Sequence, residues 1–156
     1  MKKKFKSADK AIVVLIALCL ISMTMIEFFG VMRVSGSSMY PTYKDGDIVS
    51  ANRYYKKIDR NDVIIFYHKN GKFISNKYIK RVIAIPGDTI QICDEMIYVN
   101  GKLVEDEFGP TALSDMEKEL LLDSGEYFVM GDNRDNSEDS RDFGPVQEKD
   151  IIGVVN

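Results

Sequence analysis

The sequence predicts a mainly β domain, barrel-like in outline, behind one N-terminal transmembrane helix. Three observations carry this. Residues 11–32 form an almost unbroken apolar run. The chain beyond them alternates short β-rich segments with tight turns. It offers one further stretch that reads as a helix, and it has no internal repeat and no low-complexity linker.

The apolar run comes first. Lys10 and Arg33 bracket 22 residues whose only charge is Glu27. As a helix this stretch is about 33 Å long, enough for a hydrocarbon core of about 30 Å. The flank Met1–Lys10 holds five lysines against Asp9. Positive charge stays on the cytoplasmic side. The reading is therefore a basic cytoplasmic N-terminus at 1–10, a single span at 11–32 and an extracytoplasmic domain at 33–156. Two readings compete. A cleaved export signal has a shorter apolar core and a small-x-small site, and Phe28-Phe29-Gly30-Val31-Met32-Arg33 offers no good one. A buried core helix would need helical partners that the downstream sequence does not supply.

Composition narrows the function. The net charge is −3, the first ten residues contribute +4, and the remainder is therefore −7. An acidic domain argues against nucleic acid as a partner. Cys19 lies in the span and Cys93 outside it, so no disulfide framework is expected. Cys93 reads as a small buried hydrophobe. His68 is the only histidine. It sits beside a probable turn and reads as a solvated hairpin residue. Setting it aside removes Ser-His-Asp triads, Cys-His pairs and histidine-based zinc sites together.

In the outer domain, Ile48–Ala51 reads as a strand after the Asp45-Gly46 turn. Asn70-Gly71 separates Val63–Tyr67 from Phe73–Ile85, and Asn100-Gly101 separates Met96–Val99 from Lys102–Val104. Both dipeptides are two-residue hairpin signals. Pro86-Gly87-Asp88 is another turn, and Thr89–Ile92, Tyr127–Met130 and Ile151–Val155 complete the strands. Pro110–Asp123 is the one short-helix candidate, with Thr111 or Ser114 as N-cap.

Three stretches are rich in features that a core does not need. The first holds Ser38 between Gly36 and Pro41, only five residues past Arg33. Five extended residues reach about 17 Å at most, so chemistry at Ser38 would take place against a bilayer surface. The plain alternative is a polar linker. The second is Lys77–Ile85. Strand alternation puts Lys80 with Tyr78, Val82 and Ala84 on one face, and Arg81 with Ile79, Ile83 and Ile85 on the other. A lysine among apolar neighbours loses its charge more easily and can act as a general base. It can equally snorkel to solvent, and alternation does not choose. The third is Gly131–Gly144, with five acids, two arginines, two asparagines and two serines in 14 residues. It reads as a solvated loop, a calcium loop or a self-satisfied polar network. Calcium fits poorly, because counting from Asp132 the sixth position is Ser137 and not glycine. Arginine interleaved with Asp and Asn suits the network.

Together these stretches resemble the bacterial type I signal peptidases, membrane-anchored Ser-Lys proteases, in their compact form. The family's Ser-Met-x-Pro-Thr motif is similar to Ser38-Met39-Tyr40-Pro41-Thr42. Tyr-x-Lys-Arg and the following Pro-Gly-Asp match Tyr78-Ile79-Lys80-Arg81 and Pro86-Gly87-Asp88. Gly-Asp-Asn-x-x-Asn-Ser-x-Asp-Ser-Arg matches Gly131 to Arg141 throughout. The segment at about 93–125 is short, as in members that lack a large extra β domain.

The resemblance implies a signal peptidase I: an endopeptidase that removes signal peptides from exported preproteins after small residues. Ser38 would be the nucleophile and Lys80 the general base. Ser137 would orient the lysine, Asp139 and Arg141 would pair to hold the site, and Asp132 and Asn133 would support it. Val34, Met39, Tyr78 and Ile79 would wall the substrate pocket. The Ser38 N–H would bind the oxyanion. A second donor that some members carry, a serine two residues before the nucleophile, is replaced by Gly36. The family's Arg-Gly-Asp turn is Arg60-Asn61-Asp62 here, and Ala84 stands where a glycine is frequent. No metal and no cofactor is implied. The expected partners are membrane-bound preproteins and the lipid bilayer, the expected location is the cell membrane with a single pass, and the chain is expected to be a monomer. Two other classes compete: a self-cleaving repressor-type Ser-Lys protease, which would need a DNA-binding segment, and a non-catalytic membrane-tethered β module.

Overall fold

The computed structural model describes residues 7–28, 30–70, 74–105, 107, 108, 116 and 118–155. It opens with helix α1, Ser7–Phe28. The apolar side chains of α1 are exposed on every side, Ile12, Leu15, Leu18, Ile21 and Met23 among them. Among the described residues no helix is both long and apolar enough to cross a membrane. The described side chains of α1 run from Asp9 to Thr24, a helical rise of about 24 Å.

The strands follow as β1 Val31–Arg33, β2 Ile48–Asn52, β3 Val63–Asn70, β4 Ile74–Ala84, β5 Thr89–Cys93, β6 Met96–Val99, β7 Lys102–Leu103, β8 Leu120–Leu121, β9 Glu126–Met130, β10 Val146–Gln147 and β11 Ile151–Val155. A one-turn helix, α2, covers Ser140–Phe143. Seven strands form one antiparallel sheet in the order β1-β2-β11-β3-β4-β9-β10, and four form a second in the order β7-β6-β5-β8.

The barrel expectation is corrected: the large sheet does not close. Its end strands have three and two residues and pair only with β2 and β9 respectively. Closure needs a continuous, staggered ladder between the first strand and the last, and strands this short cannot supply one.

The central strands explain the burial. Val63, Ile64, Ile65 and Phe66 of β3 are all buried, the pattern of a strand covered on both faces. Val63 and Ile65 pack with Ile79, Met39, Val34 and Val49 on one face. Ile64 and Phe66 pack with Val82, Val129, Tyr127 and Val146 on the other. A third cluster joins Ile83, Ala84, Phe128 and Met130 to Ile90, Ile92, Ile97 and Val99 of the small sheet. Ala84 is wholly buried there.

The turns follow their residues. Asn100 and Gly101 take φ of 53° and 69° between Val99 and Lys102, which pair directly, as a two-residue hairpin requires. The β3–β4 hairpin pairs from Val63–Arg81 to Asn70–Ile74, while Gly71 and Phe73 lie outside the described residues. Asn61 takes φ 73° in place of the family's glycine. The expected helix at 110–123 falls largely outside the described residues, and its end is strand β8, paired with β5.

The β4 strand has two different halves. Arg81, Val82 and Ala84 pair with β9, and Arg81 is also the last residue paired with β3. Lys77 to Lys80 pair with β3 alone, so among the described residues their other edge is open. β1 is likewise paired on one side only.

Candidate active site

Ser38 sits in a tight turn after β1. The Tyr40 N–H donates to Ser37 O at 3.0 Å and the Tyr43 N–H to Met39 O at 2.8 Å. Gly36, at φ 86°, donates its N–H to Asp45 Oδ1 at 2.9 Å. The apolar neighbours Val34 and Met39 are buried beneath the turn, which leaves the Ser38 side chain to face β4.

Lys80 meets it there. Lys80 Nζ lies 2.7 Å from Ser38 Oγ, and the lysine is only 4% exposed. Snorkelling is thereby excluded. Burial pushes the Lys80 amine below the ordinary lysine range. Asp139 and Glu138 pull it partly back, and Arg141 pushes it down again. The ring of Tyr78, two residues along the same face, stands 5.6 Å from Nζ.

The polar loop after β9 is a network, as one sequence reading had it. Asp139 is fully buried and takes both Nε and Nη2 of Arg141, at 2.8 and 2.9 Å. It also accepts the Gly131 N–H at 2.9 Å and caps α2 through the Arg141 N–H. Arg141 donates further to Arg134 O at 2.7 Å. A buried carboxylate with this many donors fixes the loop around it.

The loop grips the serine turn directly. The Asn133 N–H donates to Ser38 O at 3.0 Å, its side-chain amide to Ser37 O at 3.2 Å, and the Asn136 amide to Ser37 Oγ at 2.8 Å. Asp132 takes Nε and Nη2 of Arg81, both at 2.7 Å, and accepts from the Thr42 hydroxyl. Arg81 therefore serves to anchor this loop and the serine turn to β4. Its guanidinium is covered by Phe108, whose ring centroid is 4.8 Å away.

Of the predicted residues, Ser38, Lys80, Asp132, Asn133, Asp139 and Arg141 come together. Ser137 is adjacent, but its buried Oγ has no hydrogen-bond partner among the described residues, so its expected bond to the lysine is not formed. Tyr78 and Ile79 line a cleft of about 220 Å³ with Met32, Arg33, Ser35, Ser38, Lys77, Lys80 and Glu138. Val34 and Met39 lie in the core below it and do not line it. A Cβ at Gly36 would meet nothing within 4 Å among the described residues, so the place of the missing serine is open.

His68 is the clearest correction. Its ring stacks on Phe143 at 4.1 Å and on Tyr78 at 5.3 Å, so it is half-buried in an aromatic cluster and not a freely solvated hairpin residue. Asn136, Thr42, Phe108 and Glu138 were given no role by sequence. Asn136 and Thr42 lay inside the quoted motifs, and that was their only signal. Phe108 and Glu138 carried none.

A serine hydroxyl against a buried amine, braced by an ionic loop, suits acyl transfer. The comparisons agree. The family model for signal peptidase, peptidase S26, matches residues 7–156. The chain belongs to that family. It is 35% identical to signal peptidase I V of Bacillus subtilis over all of this chain and 98% of the relative. It is 37% identical to signal peptidase I T of the same organism, over 93% of this chain and 80% of that one. Signal peptidase IB of Staphylococcus aureus is 34% identical over 79% and 73%. The crystal structure of a signal peptidase I from Enterococcus faecalis superposes with a TM-score of 0.52 at 28% identity, covering 65% of this chain and 98% of that one. Peptidase membership fits the mainly β, antiparallel fold. The open large sheet and the arrangement around Ser38 complete that description.

Proposed function

We propose that this peptidase is a membrane-tethered signal peptidase I that cuts exported preproteins after small residues, with Ser38 as nucleophile and neutral Lys80 as general base. The observation that carries the reading is the 2.7 Å contact between Ser38 Oγ and a lysine amine only 4% exposed. An ammonium at Lys80 donates to the serine. A neutral amine accepts the serine proton through its lone pair, at the same distance, as Oγ attacks the scissile carbonyl. The ammonium so formed returns the proton to the leaving amine, and water then hydrolyses the ester. The Ser38 N–H stabilises the oxyanion, with Gly36 contributing no side-chain donor.

The substrate lies extended along the open edge of Lys77–Lys80, opposite β1. Strand addition supplies affinity through the backbone, and alternate side chains enter the cleft. The tether in this reading is α1, whose described apolar side chains from Ala11 onward are exposed on every side. A helix apolar around its whole circumference is at home only in apolar surroundings. The basic N-terminus then faces the cytoplasm, and the catalytic domain works as a monomer on the far side. Anchoring enzyme and substrate in one membrane raises their effective concentration.

The test is cleavage of a preprotein with an Ala-x-Ala site by the detergent-solubilised chain. Wild type should cut after the final small residue, and Ser38→Ala and Lys80→Ala should not. Retained cleavage in Lys80→Ala would remove the lysine base, and no cleavage by folded wild type would overturn the substrate class.

A further inference from the structure

Glu138 occupies an unassigned place in the loop, between Ser137 and the buried Asp139. Its carboxylate lines the cleft beside Ser38 and Lys80. The Tyr78 hydroxyl donates to Glu138 Oε2 at 3.1 Å. The Tyr78 ring is backed by Phe66 edge-on at 6.0 Å, by His68 stacked at 5.3 Å and by Phe143 at 6.2 Å. Its front faces Lys80 Nζ at 5.6 Å. The three rings fix how deep Tyr78 sits. They do not fix how far its hydroxyl end leans across the cleft, and that end reaches Glu138.

We propose that Glu138 is a specificity-positioning residue: by holding the Tyr78 hydroxyl it sets the width of the cleft beside Ser38 and so restricts the substrate side chain lodged there to small ones. This rests on the signal peptidase reading above and names what sets its size limit. The hydrogen bond is exposed at the Glu138 end, so it tunes the cleft and is not needed for folding. A rigid wall that excludes one or two methylenes discriminates about 10–200-fold. Releasing the wall returns part of that factor.

The experiment compares two peptide substrates for the full-length chain in detergent, identical except for Ala or Val before the scissile bond. In wild type the kcat/KM ratio favours Ala. In Glu138→Ala the ratio should fall about fivefold to tenfold, chiefly through a lower KM for the Val substrate. Glu138→Gln keeps an acceptor oxygen and should restore most of the ratio, which an effect of charge alone would not do, while Glu138→Met, similar in volume with no acceptor oxygen, should behave like Glu138→Ala, which a loss of packing alone would not do. An unchanged ratio in Glu138→Ala overturns the proposal, as does Glu138→Gln behaving like Glu138→Ala. Wild type that cuts neither peptide overturns the proposed function instead. The positioning claim is then decided by a 19F spectrum of the chain with 3-fluorotyrosine at position 78. A resonance that shifts or broadens in Glu138→Ala and not in Glu138→Gln upholds it, and identical spectra overturn it.

Discussion

A β-carbon built on Gly131 would fall 2.2 Å from the Ser137 hydroxyl and 2.5 Å from the Ser38 carbonyl. The chain leaves β9 at this point and passes between the nucleophile turn and the polar loop with no room for a side chain. Gly131→Ala should therefore push the two apart. We expect a stability loss of about 1–3 kcal/mol, typical of overpacking, with a larger loss of kcat, because Asn133 next along the chain holds Ser38. Thermal unfolding together with kcat measures both. A fully active Gly131→Ala would show that the close approach is not needed.

Activity should depend on pH through Lys80. Burial depresses its amine, and Asp139 and Glu138 only partly offset this. In the proposed mechanism the reactive form is the neutral amine, so kcat should rise with pH through a midpoint below the ordinary lysine value of about 10.4 and fall on acidification. Lys80→Ala should lose about a hundred- to ten-thousand-fold in kcat. A kcat profile flat into the acid range would count against the assignment.

The same burial makes a stability prediction. The folded state disfavours the Lys80 ammonium, so the cost of burying it is present at every pH below the depressed value and vanishes only when the unfolded lysine is also neutral. Lys80→Met, similar in volume and apolar, should raise the melting temperature at neutral pH while abolishing cleavage. Replacing buried charge by apolar side chains is often neutral or stabilising by about 1–4 kcal/mol. A marked drop in melting temperature would mean that the lysine is held as a structural ion.

Ser137 should behave in the same sense. Its hydroxyl is buried without a partner among the described residues, and such a group costs about 1–3 kcal/mol. Ser137→Ala should stabilise the fold by about 1 kcal/mol in urea unfolding. If the hydroxyl serves the lysine during the reaction, kcat falls as stability rises. Destabilisation would show that the hydroxyl already has a partner.

Asp88 offers a contrast remote from the chemistry. Burial raises its carboxyl, but hydrogen bonds from Arg60, the Ile85 N–H and Asn100 outweigh this and hold it below the usual range. A carboxylate depressed in the folded state adds stability above its unfolded value of about 3.9, and that stability is lost as pH falls through the folded value. Asp88→Ala should cost about 2 kcal/mol at neutral pH and flatten the acid unfolding curve, while leaving the pH profile of kcat in place. A shifted kcat profile would link this turn to Lys80.

Much of the site was legible because its chemistry is dense and local. The Ser38 turn, Lys80 and the loop from Gly131 announce themselves by polar residues where a core would have none. Alternation could not decide between Lys80 and Arg81, because the decision depends on Asp132, 51 residues away, pairing with one of them. His68 was misread for a similar reason. Its neighbours in sequence are polar, and the rings that stack on it come from β4 and α2. The open sheet was missed because closure depends on the length and pairing of the shortest strands, and periodicity is weakest there. Glu138 gives no sequence signal at all, since an acid among acids looks solvated.

On its β9 side β4 stops pairing at Arg81, where β9 ends at Met130. That early ending has two results at once. It leaves the backbone of Lys77–Lys80 unclaimed, and it sends the next residues sideways to grip Ser38. Were β9 three residues longer, its own main chain would run along this edge, where the proposed substrate would lie, and Asp132 and Asn133 would be spent as ladder residues. Vacancy and reactivity in this molecule are thus fixed by a single event in the chain, the place where one strand gives up its partner.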